Sequence, residues 1–396
     1  MQKSIYLFLV LMGLGCTSPD EKPEPTPTPT VDPIIMGLLD SAGNKLINQP
    51  LINSTSIAVH YKGQDFVGHY GELEKGKGNA PSDQTIYEVG SLSKVFTGTL
   101  AAKAVLDGKL SIEEKITNYL SEPYPNLAYK DQPILLKHLL THSSGFPNVL
   151  PLELIPLATS EFLDPETPAK MGAILEHYNK AKFLEDLHTI TIDTTPGIDY
   201  SYSSAGTEMV AHLLETTYQT DFEQLLKSFL QKEVGMMQTK IVLDDIEQKN
   251  LAVGYHAHHP TITTAMKKLP WGAGGNVKST TPDMLKFIQY HLDNQAIAKE
   301  SHQVLVPFTE TIGLAYFWRV DASDEQLGTY YFHHGGVPRA QCFVFVVPKY
   351  DLGIFLITNQ SGKETAKKLK MTVDAIIQGI IKQEESSSAP TEKEAH

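Results

Sequence analysis

The stretch Glu88-Val89-Gly90-Ser91-Leu92-Ser93-Lys94 stands where the patterning of the chain changes. From Leu92 to Leu106 apolar residues recur at helical spacing, and Gly108 follows as a stop signal. Upstream, Ser56 to Tyr61 and Asp65 to Tyr70 read as two short strands around Lys62-Gly63-Gln64, a hairpin signal. Downstream, from Ser111 to about Pro260, the pattern is mostly helical with Pro-rich loops, and includes Ile134 to Leu140 and Met209 to Leu214. Strands return after Trp271, at Gly313 to Val320, Thr329 to His333, Cys342 to Val347 and Gly353 to Thr358, and Lys363 to Ile381 reads as a long amphipathic helix. Strand-rich ends around a helical middle predict an α/β fold: an antiparallel sheet flanked by helices with an inserted all-helical lobe at about residues 111–265. The cleft between the two lobes is the default site.

Composition bounds this reading. The chain has 396 residues, 41% hydrophobic and 20% charged, with a net charge of −13 and two cysteines. A single core stops growing at roughly 250–300 residues, so two lobes or a large insertion are expected. The acidic balance and the lack of a Lys/Arg cluster argue against a nucleic-acid partner. Two cysteines in very different settings do not form a disulfide framework; Cys342, in Cys342-Phe343-Val344-Phe345, reads as a buried strand residue.

The N-terminus reads as an export signal over residues 1–15. Lys3 precedes an apolar run from Ile5 to Leu14 that is too short to span a bilayer, and Gly15-Cys16 follows. A small residue before a single Cys resembles the bacterial lipobox, which makes Cys16 a lipidation site and the protein a membrane-anchored lipoprotein of the periplasm or cell surface. Gly13 stands where that pattern usually has Leu. Residues 16–33 form a Pro/Thr-rich stalk, residues 34–383 the folded domain, and the Ser/Glu-rich residues 384–396 a disordered tail.

The chemistry starts at Ser91 and Lys94. Three residues along a helix is ~4.5 Å of rise and nearly a full turn, so both side chains share one face. A serine hydroxyl becomes a nucleophile when a neighbouring base takes its proton, and a helix N-terminus adds oriented backbone donors beside it. Ser-x-x-Lys alone is weak, because Ser91 could be a mere N-cap and Lys94 a solvated residue. Two further segments change that weighing. Pro196-Gly197-Ile198-Asp199-Tyr200-Ser201-Tyr202-Ser203-Ser204-Ala205-Gly206 places Tyr202 in a Gly/Ser-rich turn before a helix, and Phe332-His333-His334-Gly335-Gly336-Val337-Pro338 lies at a strand end.

Together the three segments resemble the motifs of the serine β-lactamase and penicillin-binding-protein superfamily, in the class C β-lactamase-like branch of esterases, D-aminopeptidases and DD-peptidases. Leu139-Leu140-Thr141-His142-Ser143-Ser144-Gly145 and Ala273-Gly274-Gly275 leading into Ser279-Thr280-Thr281-Pro282-Asp283 agree with that branch, and the resemblance spans roughly residues 50–380. It implies Ser91 as the acylated nucleophile, Lys94 as the partner that deprotonates it, and Tyr202 as the second acid/base. His333 then stands at the Lys position of the third motif, and the Ser91 and Gly336 N–H groups form the oxyanion hole, with Gly335 and Ser204 also on the substrate side. No metal or organic cofactor is implied. Two positions depart from the pattern: Ser204 replaces the usual Asn and offers no amide, and His333 replaces Lys, so a substrate carboxylate is held less well at neutral pH. Arg339 is a candidate for the missing cation, against a surface Arg on a turn.

Several other features carry less. Tyr124-Pro125-Asn126 reads as a loop, His142 as a structural hydrogen-bonded residue, and His256-Ala257-His258-His259 as an exposed loop rather than a metal site. The expected function is a serine hydrolase of small amide, peptide or ester substrates outside the cytoplasm, some of them cell-wall derived, with specificity set by the loop from Phe146 to Thr195. The alternatives are a β-lactamase or DD-carboxypeptidase, and a non-catalytic cell-wall peptide-binding relative. The anchor has its own test. Cys16→Ala is expected to move the protein from the membrane fraction to the soluble fraction, and unchanged fractionation would contradict the tether.

Overall fold

The computed structural model describes residues 32–159 and 164–388. Its framework is an eight-stranded antiparallel sheet. The strands are β1 (Ser54–Tyr61), β2 (Gln64–Gly71), β3 (Val306–Pro307), β4 (Ile312–Leu314), β5 (Arg319–Asp321), β6 (Tyr330–Val337), β7 (Ala340–Val347) and β8 (Leu352–Thr358). They lie in the order β2-β1-β8-β7-β6-β5-β4-β3. The expected hairpin is present: Lys62 and Gly63 both take positive φ, and Tyr61 pairs with Gln64.

The middle strands are buried on both faces, so their sequences are continuous apolar runs rather than alternations. In β7, Cys342, Val344 and Val346 enter one core; Phe343, Phe345 and Val347 enter the other. The second core is closed by α1 (Pro33–Ile47) and the C-terminal helix α5 (Thr365–Ser388). The first is shared by α2 (Ser93–Leu106), α3 (Ser204–Tyr218) and α4 (Thr281–Leu292). The helical middle and the sheet are not separate bodies: Leu139 and Met209 pack in the same cluster as Phe96 and Val344.

Four expectations need correction. The boundary expected at residue 33 falls inside α1, because Asp32 caps that helix by accepting from the Ile34 N–H at 2.8 Å and Pro33 opens it. Residues 384–388, expected as the start of a disordered tail, are the last turn of α5; Glu384 accepts from the Tyr61 hydroxyl at 2.8 Å and pairs with Lys62. The inserted lobe is not wholly helical, since Ala128–Tyr129 and Gln132–Pro133 form a short ribbon. Gly313 to Val320 is two strands, broken where Phe317 takes a φ of +66° and the Ala315 N–H bonds the Trp318 carbonyl at 3.0 Å. Residues 1–31, with Cys16, and 389–396 lie outside the described residues.

Candidate active site

Ser91 sits in a single 3₁₀ turn, Gly90–Leu92, that feeds α2. Two features fix the turn. The Ser93 hydroxyl donates to the Gly90 carbonyl at 2.7 Å and accepts from the Val277 N–H at 3.0 Å. Gly90 has φ +55°, and a Cβ there would lie 2.8 Å from the Gly336 nitrogen. Only glycine lets the Ser91 turn press so closely on the end of β6.

That strand end is open. β6 pairs with β5 only through Tyr330 to Phe332, so among the described residues His333 to Val337 run on with no strand paired on that side. The two-residue hairpin at Pro338-Arg339 makes Val337 and Ala340 a bonded pair, and alternation along the ladder leaves the Gly336 N–H pointing away from β7. The Ser91 turn and the Gly336 amide therefore meet at the same point.

Ser91 Oγ accepts from the Tyr202 hydroxyl at 2.6 Å and from Lys94 Nζ at 3.3 Å. Lys94 is 0% exposed. Its ammonium also donates to Ser204 Oγ at 3.1 Å and to the Gly274 carbonyl at 2.6 Å, and lies 4.7 Å from the Tyr202 ring centre. Ser204 thus keeps a contact with the Lys despite its short side chain. The structure brings Ser91, Lys94, Tyr202 and Ser204 together, with His333 and Gly336, around a cleft of about 430 Å³.

Tyr202 is oriented from behind. Ser203 caps α3: its hydroxyl accepts from the Gly206 N–H at 2.7 Å and donates to the Pro147 carbonyl at 2.6 Å. His142 accepts the Ser203 N–H on Nδ1 at 3.2 Å, and its ring packs 4.5 Å from that of Tyr202. Burial and the nearby Lys94 hold His142 neutral, with a pKa well below its usual value. His333, 4% exposed, donates from Nδ1 to the His334 carbonyl at 2.8 Å, which leaves Nε2 as an acceptor. Burial, with Lys94 and Arg319 nearby, pushes its pKa well down, so it is a neutral imidazole and not a cation.

Two expected site residues lie elsewhere. Gly335 does not line the cleft; a Cβ there would collide with the Val89 carbonyl, so its role is close packing of β6 on the Ser91 turn. Arg339 does not line it either, and its charge is felt by the buried Glu88 instead. The arginine at the cleft is Arg319, opposite Phe332 where the β5–β6 pairing stops, with Nη2 3.4 Å from the Tyr200 hydroxyl. Asn126 in the literal Tyr-x-Asn donates to the Leu187 and Ile190 carbonyls at 2.7 and 3.0 Å, and so ties a loop. His256 is buried, where an exposed loop was expected.

Sequence reading also missed Glu208, one turn along α3 from Ser204. It is 2% exposed, and its carboxylate accepts from the backbone N–H groups of Trp271, Gly272 and Gly274 at 2.6, 3.1 and 2.7 Å. Burial raises its pKa, while the three N–H groups and Lys94 oppose that. Glu208 therefore holds the loop whose Gly274 carbonyl receives Lys94.

The chain belongs to the family described as Beta-lactamase, whose model matches residues 44–377. The β-lactamase of Providencia stuartii is 26% identical over 261 residues, 66% of this chain and 61% of that protein. Protein flp of Staphylococcus aureus strain MW2 is 23% identical over 329 residues, 80% of this chain and 61% of that protein. The chain spans about three fifths of the length of these curated relatives. The same fold is seen in the β-lactamase/D-alanine carboxypeptidase of Yersinia pestis complexed with citrate, with a TM-score of 0.71 at 18% identity over 88% of this chain and 98% of that one. A class C β-lactamase gives 0.72 at 18% identity over 87% and 97%.

Glu208→Gln tests the positioning of the loop. Gln turns an amide donor onto N–H groups that need acceptors, at a cost of about 1–3 kcal/mol. The melting temperature by circular dichroism is expected to fall by several degrees; an unchanged value would contradict the role given to Glu208.

Proposed function

We propose that this protein is a serine hydrolase that forms an acyl-enzyme at Ser91 and acts on small amide, peptide or ester substrates outside the cytoplasm, tethered through Cys16. The observation that carries the reading is the sharing of Ser91 Oγ by Tyr202 and Lys94 where the Gly90–Leu92 turn presses on the Gly336 amide. Ser91 Oγ attacks the substrate carbonyl while its proton passes to Tyr202, which acts as the phenolate beside the Lys94 ammonium. The Ser91 and Gly336 N–H groups take the oxyanion, and the open edge of β6 offers backbone groups to an extended substrate. Tyr202 returns the proton to the leaving atom, then takes one from the water that cleaves the acyl-enzyme.

Substrate preference follows from the two departures. Ser204 spends its hydroxyl on Lys94 and presents no amide to an acyl group. The neutral His333 does not anchor a carboxylate as a Lys would, so that task falls to the exposed Arg319. Both features favour ester and D-aminoacyl amide hydrolysis over β-lactam hydrolysis. Arg319 is also the observation that favours the second reading, a D-alanine carboxypeptidase-like activity on a free C-terminal carboxylate, the activity named for the Yersinia pestis neighbour.

A three-substrate panel separates the readings. A p-nitrophenyl ester and D-Ala-p-nitroanilide are expected to turn over with kcat/KM above that for nitrocefin, and Ser91→Ala is expected to abolish all three. Dominant nitrocefin turnover would favour a β-lactamase. No turnover, with muropeptide binding unaffected by Ser91→Ala, would identify a binding protein.

A further inference from the structure

A second cavity of about 460 Å³ opens next to the cleft. Phe308, Ile312, Leu314, Val320 and Phe332 supply its apolar walls. Tyr200 and Arg319 line both this cavity and the cleft, so the two spaces adjoin at that pair. Phe308 and Ile312 are 39% and 42% exposed, beside a Tyr200 that is itself 42% exposed. Large apolar side chains left in water around a concavity mark a place where an apolar group binds.

The position of Tyr202 decides which half of a substrate reaches this space. Tyr202 hands the proton to the leaving atom, so the departing group lies on its side of Ser91. Tyr200 is two residues away, and its ring stands edge-on to Phe308 at 5.7 Å and to His142 at 6.0 Å, the same His142 that packs on Tyr202. Arg319 reaches over from the end of β5 to the Tyr200 hydroxyl and offers its apolar stem at the junction. Asp321, the acidic residue of the lining, is already engaged by the Tyr330 hydroxyl at 3.0 Å and by Ser323.

We infer that this cavity receives the leaving group, and that the preferred substrates are esters or amides whose departing alcohol or amine carries a large aromatic or branched apolar group. The inference rests on the acyl-enzyme reading of Ser91. In the step concerned, the bond from Ser91 Oγ to the acyl carbon forms and the bond from that carbon to the leaving oxygen or nitrogen breaks. The serine proton ends on the leaving atom through Tyr202, and water later releases the acid.

Ethyl acetate and 2-phenylethyl acetate share an acyl group and have similar intrinsic reactivity, so their kcat/KM ratio reads the leaving-group site. The phenyl ester is expected to be favoured by about tenfold or more, the yield of burying part of an aromatic ring. Phe308→Ala, at a partly exposed position outside the catalytic groups, is expected to reduce that ratio to about two- to threefold and leave the ethyl ester unchanged. Lengthening the acyl half, as in ethyl 3-phenylpropanoate, is expected to produce no preference that Phe308→Ala removes. Equal kcat/KM for the two acetates, a ratio that survives Phe308→Ala, or a Phe308-dependent preference on the acyl half would overturn the inference alone. Failure to hydrolyse p-nitrophenyl acetate would overturn the acyl-enzyme reading and the inference with it.

Discussion

A fully buried ammonium organises this molecule. Removing a Lys charge from water costs several kcal/mol unless oxygens replace its hydration, and Lys94 has no solvent to turn to. The oxygens come from three places in the chain: Ser91 one turn upstream, Ser204 at the start of α3, and the Gly274 carbonyl. The last is itself held by the buried Glu208 carboxylate through the Gly274 N–H. Satisfying one cation thus ties the sheet domain, the helical insertion and the 271–275 loop together at one point. Ser91 sits at that point because it is one of the ligands.

The remainder of the site follows from close approach. Gly90 and Gly335 are needed where the Ser91 turn meets β6, and the early end of the β5–β6 pairing leaves a strand edge facing the cleft. Neutral imidazoles line the same region. His142 is a positioning residue that fixes the α3 cap and the Tyr202 ring, and His333 presents an acceptor nitrogen where a cation would be expected from the family pattern. The charge missing at His333 is found at Arg319, on the other side of the open edge. Arg319 thus stands on the wall that the cleft and the apolar cavity share.

Much of this was legible in the sequence, for identifiable reasons. β1, β7, β8 and α2 have clear periodicity, and Ser91, Lys94, Tyr202 and Gly336 sit in short words whose residue types serve one chemistry. What was hidden depends on contacts between distant segments. Arg339 attracted notice because it follows the third motif in sequence, yet the hairpin turns it toward Glu88, while Arg319 arrives through strand pairing that no local pattern reveals. Glu208 looks like any polar residue on an amphipathic helix; one clue to it is the Gly-rich word at Ala273-Gly274-Gly275, whose N–H groups need an acceptor. The break in Gly313 to Val320 escaped because Phe317, a residue of high strand propensity, is held at positive φ by tertiary packing and bonds the Leu140 carbonyl from its N–H at 2.8 Å.

The central claim is that the Lys94 network makes Ser91 a nucleophile. Intact-protein mass spectrometry with peptide mapping after exposure to a fluorophosphonate addresses it most directly. The account predicts one phosphonyl group per chain, on Ser91, absent in Ser91→Ala and formed far more slowly in Lys94→Ala. No adduct on the unmodified protein, or an adduct that persists in Ser91→Ala, would contradict it.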